Sequence, residues 1–254
     1  MEYFVAKDSI VRQVWGNGDT ILFIFAGSAA EFALNKAVDW LYFTRQLPND
    51  PIGRLFSTVS YARQIIFSDK EGALKAINKI TMIHNAVENQ RGGKIPGWAY
   101  RDVLFMLIHY SIASFELLQR KLSSSEKQEL YNVFYRLGQE MHIEELPGDY
   151  LHWLPVRERH LENDLARSAF TDDLYKQYKK HLGAFRFKIF IESQKLIVPE
   201  KVSRLLNLRK PSLLPPLLFV YKLSRKIDLN WLIKTAILPA KYRSEIKALD
   251  IIPG

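Results

Sequence analysis

Four polar residues in the first half of the chain have the types and spacing to do chemistry. They are Arg54, Thr58, His84 and His109, all in segments whose apolar residues recur with helical periodicity. Arg54 and Thr58 are four residues apart, so a helix projects their side chains side by side. His84 shares the apolar face of its segment with Ile77. An imidazole, a guanidinium and a hydroxyl in such surroundings can ligate a metal and stabilise negative charge.

Haem is the prosthetic group that these residues fit best. A haem site needs an axial imidazole, apolar walls, cations for the propionates and few polar groups on the oxygen side. We predict that His84 binds the iron through Nε2, with its other nitrogen held by a carbonyl or carboxylate. Arg54 would stabilise negative charge on oxygen, and Thr58 would orient a proton or water. His109 is predicted to line the same pocket or to serve as an alternative axial ligand.

Each of these residues also has a purely structural interpretation. A histidine on an apolar face is more often a hydrogen-bonded core residue than a metal ligand. Arg54 could pair with an acid, and Thr58 could bond to a backbone carbonyl.

Other catalytic chemistries have little support in the sequence. The chain has no cysteine, which excludes disulfides, thiolate nucleophiles and cysteine-ligated metals or haem. Paired metal-ligand spacings such as His-x-x-x-His and Glu-x-x-His do not occur, and neither do the Gly-rich phosphate and dinucleotide motifs. His152 and His160 lie on either side of Pro155, so a dinuclear iron site built from them is not expected.

The net charge of +9 is compatible with a polyanionic partner. Positive charge is densest after residue 175, where aromatic residues alternate with lysines. Those aromatics fall at helical spacing, which favours core packing over base stacking. We therefore predict no nucleic-acid partner, and we keep a basic helical module for polyanions as a third hypothesis.

Neither end of the chain suggests insertion into a membrane. The segment Met1–Lys7 lacks the basic-then-apolar layout of a signal peptide. The most apolar windows, Ile21–Ala33 and Leu213–Tyr221, are interrupted by charge or proline before they reach about 20 residues. We predict a cytoplasmic protein with no transmembrane segment; the sequence leaves its oligomeric state open.

The elements that must position these residues are all helices. No segment alternates like a strand and no linker divides the chain, so we predict one all-α domain over residues 1–254. In the first half of the chain, the predicted helices are Ile21 to about Arg45, one capped by Asp50 with Pro51 at its first position, one capped by Ser68-Asp69, and Trp98–Leu122. In the second half, they are one that begins at a Ser123/Glu126 capping box, Asp149–Ala166 with a break near Pro155, and one capped by Thr171 that runs toward Gln194. Short surface helices are predicted from Val198 onward.

The order of the motifs resembles the MpaB-like oxygenase family, relatives of the rubber oxygenases called latex clearing proteins. The resemblance covers the chain from about Ile21 to the tail. The residues that carry it are Asp50-Pro51-x-Gly53-Arg54-x-x-x-Thr58, then Phe67-Ser-Asp69, Ile83-His84-x-x-Val87, Leu107-Ile-His109-x-x-Ile-x-Ser114 and Leu213-Leu-Pro-Pro216.

The resemblance implies an all-α fold with a globin-like core, extra peripheral helices and a non-covalent haem b. By this resemblance, His84 corresponds to the proximal haem ligand of the family, and Arg54 and Thr58 correspond to its distal arginine and threonine. Ser57 stands where the rubber enzymes have a lysine, so rubber is not the expected substrate. We predict a haem b-dependent oxygenase that uses dioxygen on an apolar substrate, with isoprenoids as one class. The alternative is a helical protein that binds haem or lipid without catalysis.

Overall fold

Helices form the regular structure of this protein in a computed structural model that describes residues 2–208, 211–216 and 248–249. They are α1 (Ile10–Trp15), α2 (Gly18–Phe32), α3 (Asp39–Phe43), α4 (Gln46–Asn49), α5 (Pro51–Phe67), α6 (Lys70–Arg91), α7 (Gly97–Leu118), α8 (Ser124–Glu140), α9 (Tyr150–Asn163), α10 (Ala169–Ile197) and α11 (Glu200–Leu205). Extended pairing in this part of the chain is limited to isolated bridges. The all-α prediction is confirmed, whereas the globin-like core and the single domain stay predictions.

The centre of the fold is the packing of α2 against α7 and α10. Small residues on α2 let these helices approach closely, and Gly27 faces both the ring of Tyr110 and the side chain of Ile197. Ala26, Ala29 and Ala30 extend this small-residue surface and are buried. α2 therefore lies in the interior, where its polar side chains require partners within the protein.

α5 and α6, the helices that carry Arg54 and His84, begin as predicted. The Asp50 side chain accepts a hydrogen bond from the backbone N–H of Gly53, and Pro51 occupies the first turn. Asp69 caps α6 in the same way by accepting from Gly72. Both caps satisfy backbone donors that the first helical turn leaves without partners. These two ends fix where Arg54 and His84 fall along their helices.

The predicted single helix from Ile21 to about Arg45 is wrong. α2 ends at Phe32, and the chain turns at Asn35 before α3 begins. The Asn35 side chain accepts a hydrogen bond from Ala37 N–H, and its backbone forms a bridge with Leu165. A side chain that bonds to nearby backbone offers the chain an alternative to the helix, which accounts for the break.

Three other predicted boundaries also differ from the structure. Pro155 lies inside α9, so the break predicted near it is not found. Ser168, rather than Thr171, caps α10. Thr171 is the third residue of the helix, and its side chain accepts from the Ser168 backbone N–H to complete a capping box. α7 ends at Leu118, before Leu122. Gly183 adopts a positive φ of 74° and kinks α10, which then continues to Ile197.

The aromatic residues of α10 pack against one another across the kink. The rings of Tyr175, Tyr178, Phe187 and Phe190 form a chain of contacts with centroids 5.1–6.5 Å apart. The prediction of core packing is confirmed for these four residues, whereas Phe185 is 66% exposed.

Of the short helices predicted from Val198 onward, α11 is observed, and residues 217–247 and 250–254 lie outside the described part. Among the helices that are described, none has both the length and the apolar character required to cross a membrane.

Candidate functional site

Arg54 and Thr58 lie one turn apart on α5 and are bonded to each other. Arg54 Nη1 donates to Thr58 Oγ1 at 3.1 Å, and Thr58 Oγ1 donates to the Arg54 carbonyl at 3.2 Å. This hydrogen bond from Thr58 to a backbone carbonyl is the one that its purely structural interpretation predicts. Arg54 lacks the corresponding acid, since no carboxylate within the described ranges forms an ion pair with it. Burial lowers the pKa of the Arg54 guanidinium, opposed by the nearby Tyr61.

His84 lies half-buried on α6 with its ring against that of Tyr100 on α7, at a centroid distance of 5.0 Å. Burial, assisted by the Arg54 cation and opposed by Glu88, lowers the pKa of His84 to about 4. The imidazole is therefore neutral at neutral pH. Its Nδ1 is buried without a hydrogen-bond partner in the described structure, so the predicted carbonyl or carboxylate partner is not found for that atom.

Together, Arg54, Thr58 and His84 form the His84 site. The electrostatic influence of Arg54 on His84 indicates that α5 and α6 bring the two side chains near each other. The site combines a neutral imidazole that has an unpartnered nitrogen with a cation that has no described acid partner. Both features are expected of side chains that contact a bound group.

Two residues that the sequence reasoning missed hold one wall of this site. Glu88, one turn after His84, is buried and accepts hydrogen bonds from the Tyr100 hydroxyl, Lys94 Nζ and the Ile95 backbone N–H. Tyr100 therefore has its hydroxyl fixed while its ring packs on His84. An acid four residues after a candidate ligand was the available signal, because such pairs share a helix face.

Apolar side chains are exposed near the His84 site. Val103 on α7 is 36% exposed, three residues after Tyr100, so it shares the helix face of the tyrosine that packs on His84. Met82 is 71% exposed and Ile83 is 41% exposed, but residues one or two positions apart on a helix face different directions, so they project from α6 away from His84.

His109 lies elsewhere along α7 and has different neighbours. Its ring meets Tyr110 edge-on at 4.9 Å. Burial, assisted by the Arg157 cation and opposed by Glu31 and a hydrogen bond with the Ile197 backbone, lowers the pKa of His109 to about 4. Nine residues separate it from Tyr100, which is ~14 Å along a helix. The structure does not bring His109 together with His84, and its role as a second ligand stays a prediction.

A second group of polar residues, which the sequence reasoning also missed, is buried between α2, α7 and α9. Glu31 accepts two hydrogen bonds of 2.5 Å from the Arg157 guanidinium and one of 2.9 Å from the Tyr110 hydroxyl. His160 Nε2 lies 2.9 Å from Glu31 Oε1, and its Nδ1 lies 2.6 Å from Asp102 Oδ1. We call Glu31, Asp102, Arg157, His160 and the adjoining Asp164 the His160 cluster.

Charge within the His160 cluster is closely balanced. Burial alone would raise the pKa of Glu31, but Arg157 and His160 hold it well below its usual range. Burial would lower the pKa of His160, but the carboxylates of Asp102 and Glu31 that contact its two nitrogens raise it to about 9. One signal was present in the sequence: Glu31 is the single charged residue in the apolar window 21–33, and a buried carboxylate requires a partner.

His152 and His160 lie on the same helix, α9, but occupy different environments. The His152 side chain is 79% exposed and pairs with Asp149, while that of His160 is 3% exposed.

The sequence of this protein matches one family over most of its length. The family is described as ER-bound oxygenase mpaB/B'/Rubber oxygenase, catalytic domain, and the match covers residues 13–232. That range includes every residue of the His84 site and of the His160 cluster. No curated protein and no solved structure gave a match.

Proposed function

The chain belongs to the family of mpaB-like and rubber oxygenase catalytic domains, and from this premise we propose that it is a haem b-dependent oxygenase acting with dioxygen on an apolar substrate. The observation that carries the proposal is the neutral His84 imidazole on α6 together with the Arg54 cation on α5, which lowers the pKa of His84. A neutral imidazole with an unpartnered nitrogen lies near a guanidinium that has no described acid partner.

The residues of the His84 site fit a haem. A neutral imidazole offers the lone pair that iron binds, and the low pKa of His84, about 4, keeps that lone pair free of a proton. His84 would hold the iron, and the ring of Tyr100 would keep the imidazole in place. Haem, when bound, supplies the one-electron chemistry that activates dioxygen toward a carbon–carbon double bond.

Arg54 and Thr58 would act together on the oxygen side. Arg54 supplies a positive charge where negative charge develops on the reacting oxygen, and such a charge is most effective where water is excluded. Thr58 both accepts from the guanidinium and donates to the Arg54 carbonyl, so it orients the guanidinium. The hydroxyl oxygen has one further lone pair, with which it would hold a water.

An apolar substrate is favoured by the surroundings of the site. Val103 exposes an apolar side chain on the face of α7 that carries Tyr100, and a hydrocarbon chain would cover it. Ser57, at the position of the lysine in the rubber enzymes, is exposed and bonds to the Gly53 carbonyl. We therefore propose a short isoprenoid or related alkene rather than rubber, and we keep a cytoplasmic location as part of the proposal.

Binding of haem or a lipid without catalysis is the second candidate. The exposed apolar residues favour it, because they would bind a lipid whether or not Arg54 has a chemical role. Oxygen consumption distinguishes the two functions. A haem-loaded sample that consumes no oxygen with any isoprenoid alkene would be a binding protein.

The haem proposal is tested by the absorption spectrum of the protein loaded with hemin. We expect His84→Ala to lose the haem band or shift it strongly, with far-UV circular dichroism unchanged. Added imidazole should restore the band by occupying the vacated ligand position. His152→Ala, at an exposed histidine, is the matched control and should keep the wild-type spectrum. A His84→Ala protein with the wild-type haem spectrum would refute His84 as the ligand.

A further inference from the structure

We infer that the His160 cluster binds a divalent transition-metal ion, with Asp102, His160 and Asp164 as its protein ligands. One ligand atom from each of the three residues lies within 4.8 Å of the others. Asp102 comes from α7, His160 from α9 and Asp164 from the C-terminal cap of α9. The site is separate from the His84 site and does not depend on the proposed haem.

Two unpartnered buried atoms point to a ligand at this position. Asp102 is fully buried and His160 is 4% exposed, yet Asp102 Oδ1 and His160 Nδ1 form no properly aligned hydrogen bond. They lie 2.6 Å apart, so they attract each other without a ring N–H directed at the oxygen. Leaving a buried polar atom unsatisfied costs about 1–3 kcal/mol. An ion between the two atoms would satisfy both.

The remaining polar atoms of the two buried ligands are already held in place. His160 Nε2 lies 2.9 Å from Glu31 Oε1, so Nε2 keeps its proton, and a metal that displaces the proton of Nδ1 to solvent binds the lone pair it leaves. This is the carboxylate–histidine–metal arrangement that fixes ligating imidazoles. Asp102 Oδ2 accepts from Asn35 Nδ2 at 3.0 Å, which leaves Oδ1 for the ion.

The charges around Glu31 support its role behind the ligand. Two hydrogen bonds from Arg157 neutralise the Glu31 carboxylate, and Tyr110 occupies another of its lone pairs. Glu31 is therefore an oriented acceptor for His160 and does not itself compete for the metal. The negative charge left for the ion comes from Asp102 and Asp164.

The donor set identifies the class of metal. One imidazole with two carboxylates suits Zn²⁺, Mn²⁺ or Fe²⁺, whereas Ca²⁺ and Mg²⁺ prefer oxygen ligands alone. Bonds of ~2.1 Å place neighbouring ligand atoms ~3.0–3.4 Å apart. The His160 Nδ1 to Asp164 Oδ2 distance of 3.4 Å fits this range, and the Asp102 contact must open slightly. The Asp164 side chain is 23% exposed, which provides a path from solvent.

Metal counting on the full chain tests the inference. The protein is treated with a chelator, equilibrated with Zn²⁺ or Mn²⁺, and its bound metal is measured by elemental analysis. We expect about one ion per chain, and a loss of affinity of about tenfold or more in Asp102→Asn and His160→Gln. Haem contains neither metal, so this result is independent of the haem proposal.

The exposed pair of Asp149 and His152 provides the matched control, because it has the same residue types at 2.7 Å. Asp149→Asn and His152→Gln should leave metal binding unchanged. If the variants of the buried residues fail to fold, Asp164→Asn replaces them, since this side chain is partly exposed. Absence of metal from the wild type, or equal uptake by wild type and Asp164→Asn, would overturn the site and leave His160 as a bridge between two carboxylates.

Discussion

Arg54 is a half-buried cation whose described hydrogen bond goes to Thr58 on its own helix. If its charge acts on the reacting oxygen, Arg54→Gln should keep the haem and lose turnover. We expect oxygen consumption with an isoprenoid alkene to fall about 10²–10³-fold, the range found when one electrostatic donor is removed from an active site. An oxygen electrode measures the rate, and the absorption spectrum checks that haem content is unchanged.

The neighbouring Ser57 supplies the control for this prediction. Its side chain is exposed and bonds to the Gly53 carbonyl of the same helix. Ser57→Ala should therefore retain the wild-type rate. If Arg54→Gln turned over as fast as Ser57→Ala, Arg54 would have no electrostatic role in the reaction.

The contact between Arg54 and Thr58 could be predicted from the sequence, whereas those of the His160 cluster could not. Arg54 and Thr58 are one helical turn apart, so their proximity follows from local periodicity. Glu31 and Arg157 are 126 positions apart and meet through the packing of α2 and α9. No local pattern encodes that contact. What the sequence did contain was a lone charge in an apolar helix, which requires a partner without identifying it.

At the scale of the element, the helix caps were predictable and the breaks were not. Asp50, Asp69 and Ser123 cap their helices by accepting hydrogen bonds from backbone N–H groups three residues later. Both partners of each bond lie within one short sequence motif, so the motif alone predicts the cap. The turn at Asn35 depends also on Leu165 and Asp102, which are remote in sequence. Asn35 thus ends an apolar run that would otherwise continue as helix.

Glu88 joins the end of α6 to the start of α7, and Glu88→Gln should weaken that junction. The carboxylate accepts from Lys94, Ile95 and Tyr100, and an amide has one acceptor oxygen and an NH₂ group facing the remaining donors. We expect a loss of about 1–3 kcal/mol in the free energy of unfolding at neutral pH, measured by urea denaturation. Glu140→Gln, at an exposed acid, should change little.

The effect of Glu88 should also depend on pH. Burial raises the pKa of this carboxyl, but hydrogen bonds from Lys94, Ile95 and Tyr100 outweigh burial and lower it below its usual value. A carboxyl with a lowered folded-state pKa stabilises the protein above its unfolded-state pKa, and loses that effect as the pH falls through the folded value. The difference between wild type and Glu88→Gln should therefore shrink on acidification. A difference that stayed constant would show that Glu88 is not ionised in the native state.

At the scale of the whole molecule, α2 connects the packing centre to the His160 cluster. Gly27 permits the approach of α7 and α10, and Glu31, one turn later, accepts from Tyr110 on α7. The ring of Tyr110 lies over Gly27 while its hydroxyl is fixed on Glu31. Packing at Gly27 and the geometry of the buried cluster are thus coupled through one tyrosine.

This coupling predicts that Gly27→Ala destabilises the protein although alanine favours helices. A Cβ at this position would lie 2.2 Å from Tyr110 Cδ1 and 2.9 Å from Ile197 Cδ1. The tyrosine cannot move away without breaking its 2.9 Å hydrogen bond to Glu31. Overpacking of about 1–3 kcal/mol should exceed the helix-propensity gain of about 1 kcal/mol, so the melting temperature should fall. Gly97→Ala, with open space around its Cβ at the start of α7, should not lower it. A Gly27→Ala protein as stable as Gly97→Ala would mean that α2 and α7 can separate freely, and that Tyr110 does not couple their packing to the buried cluster.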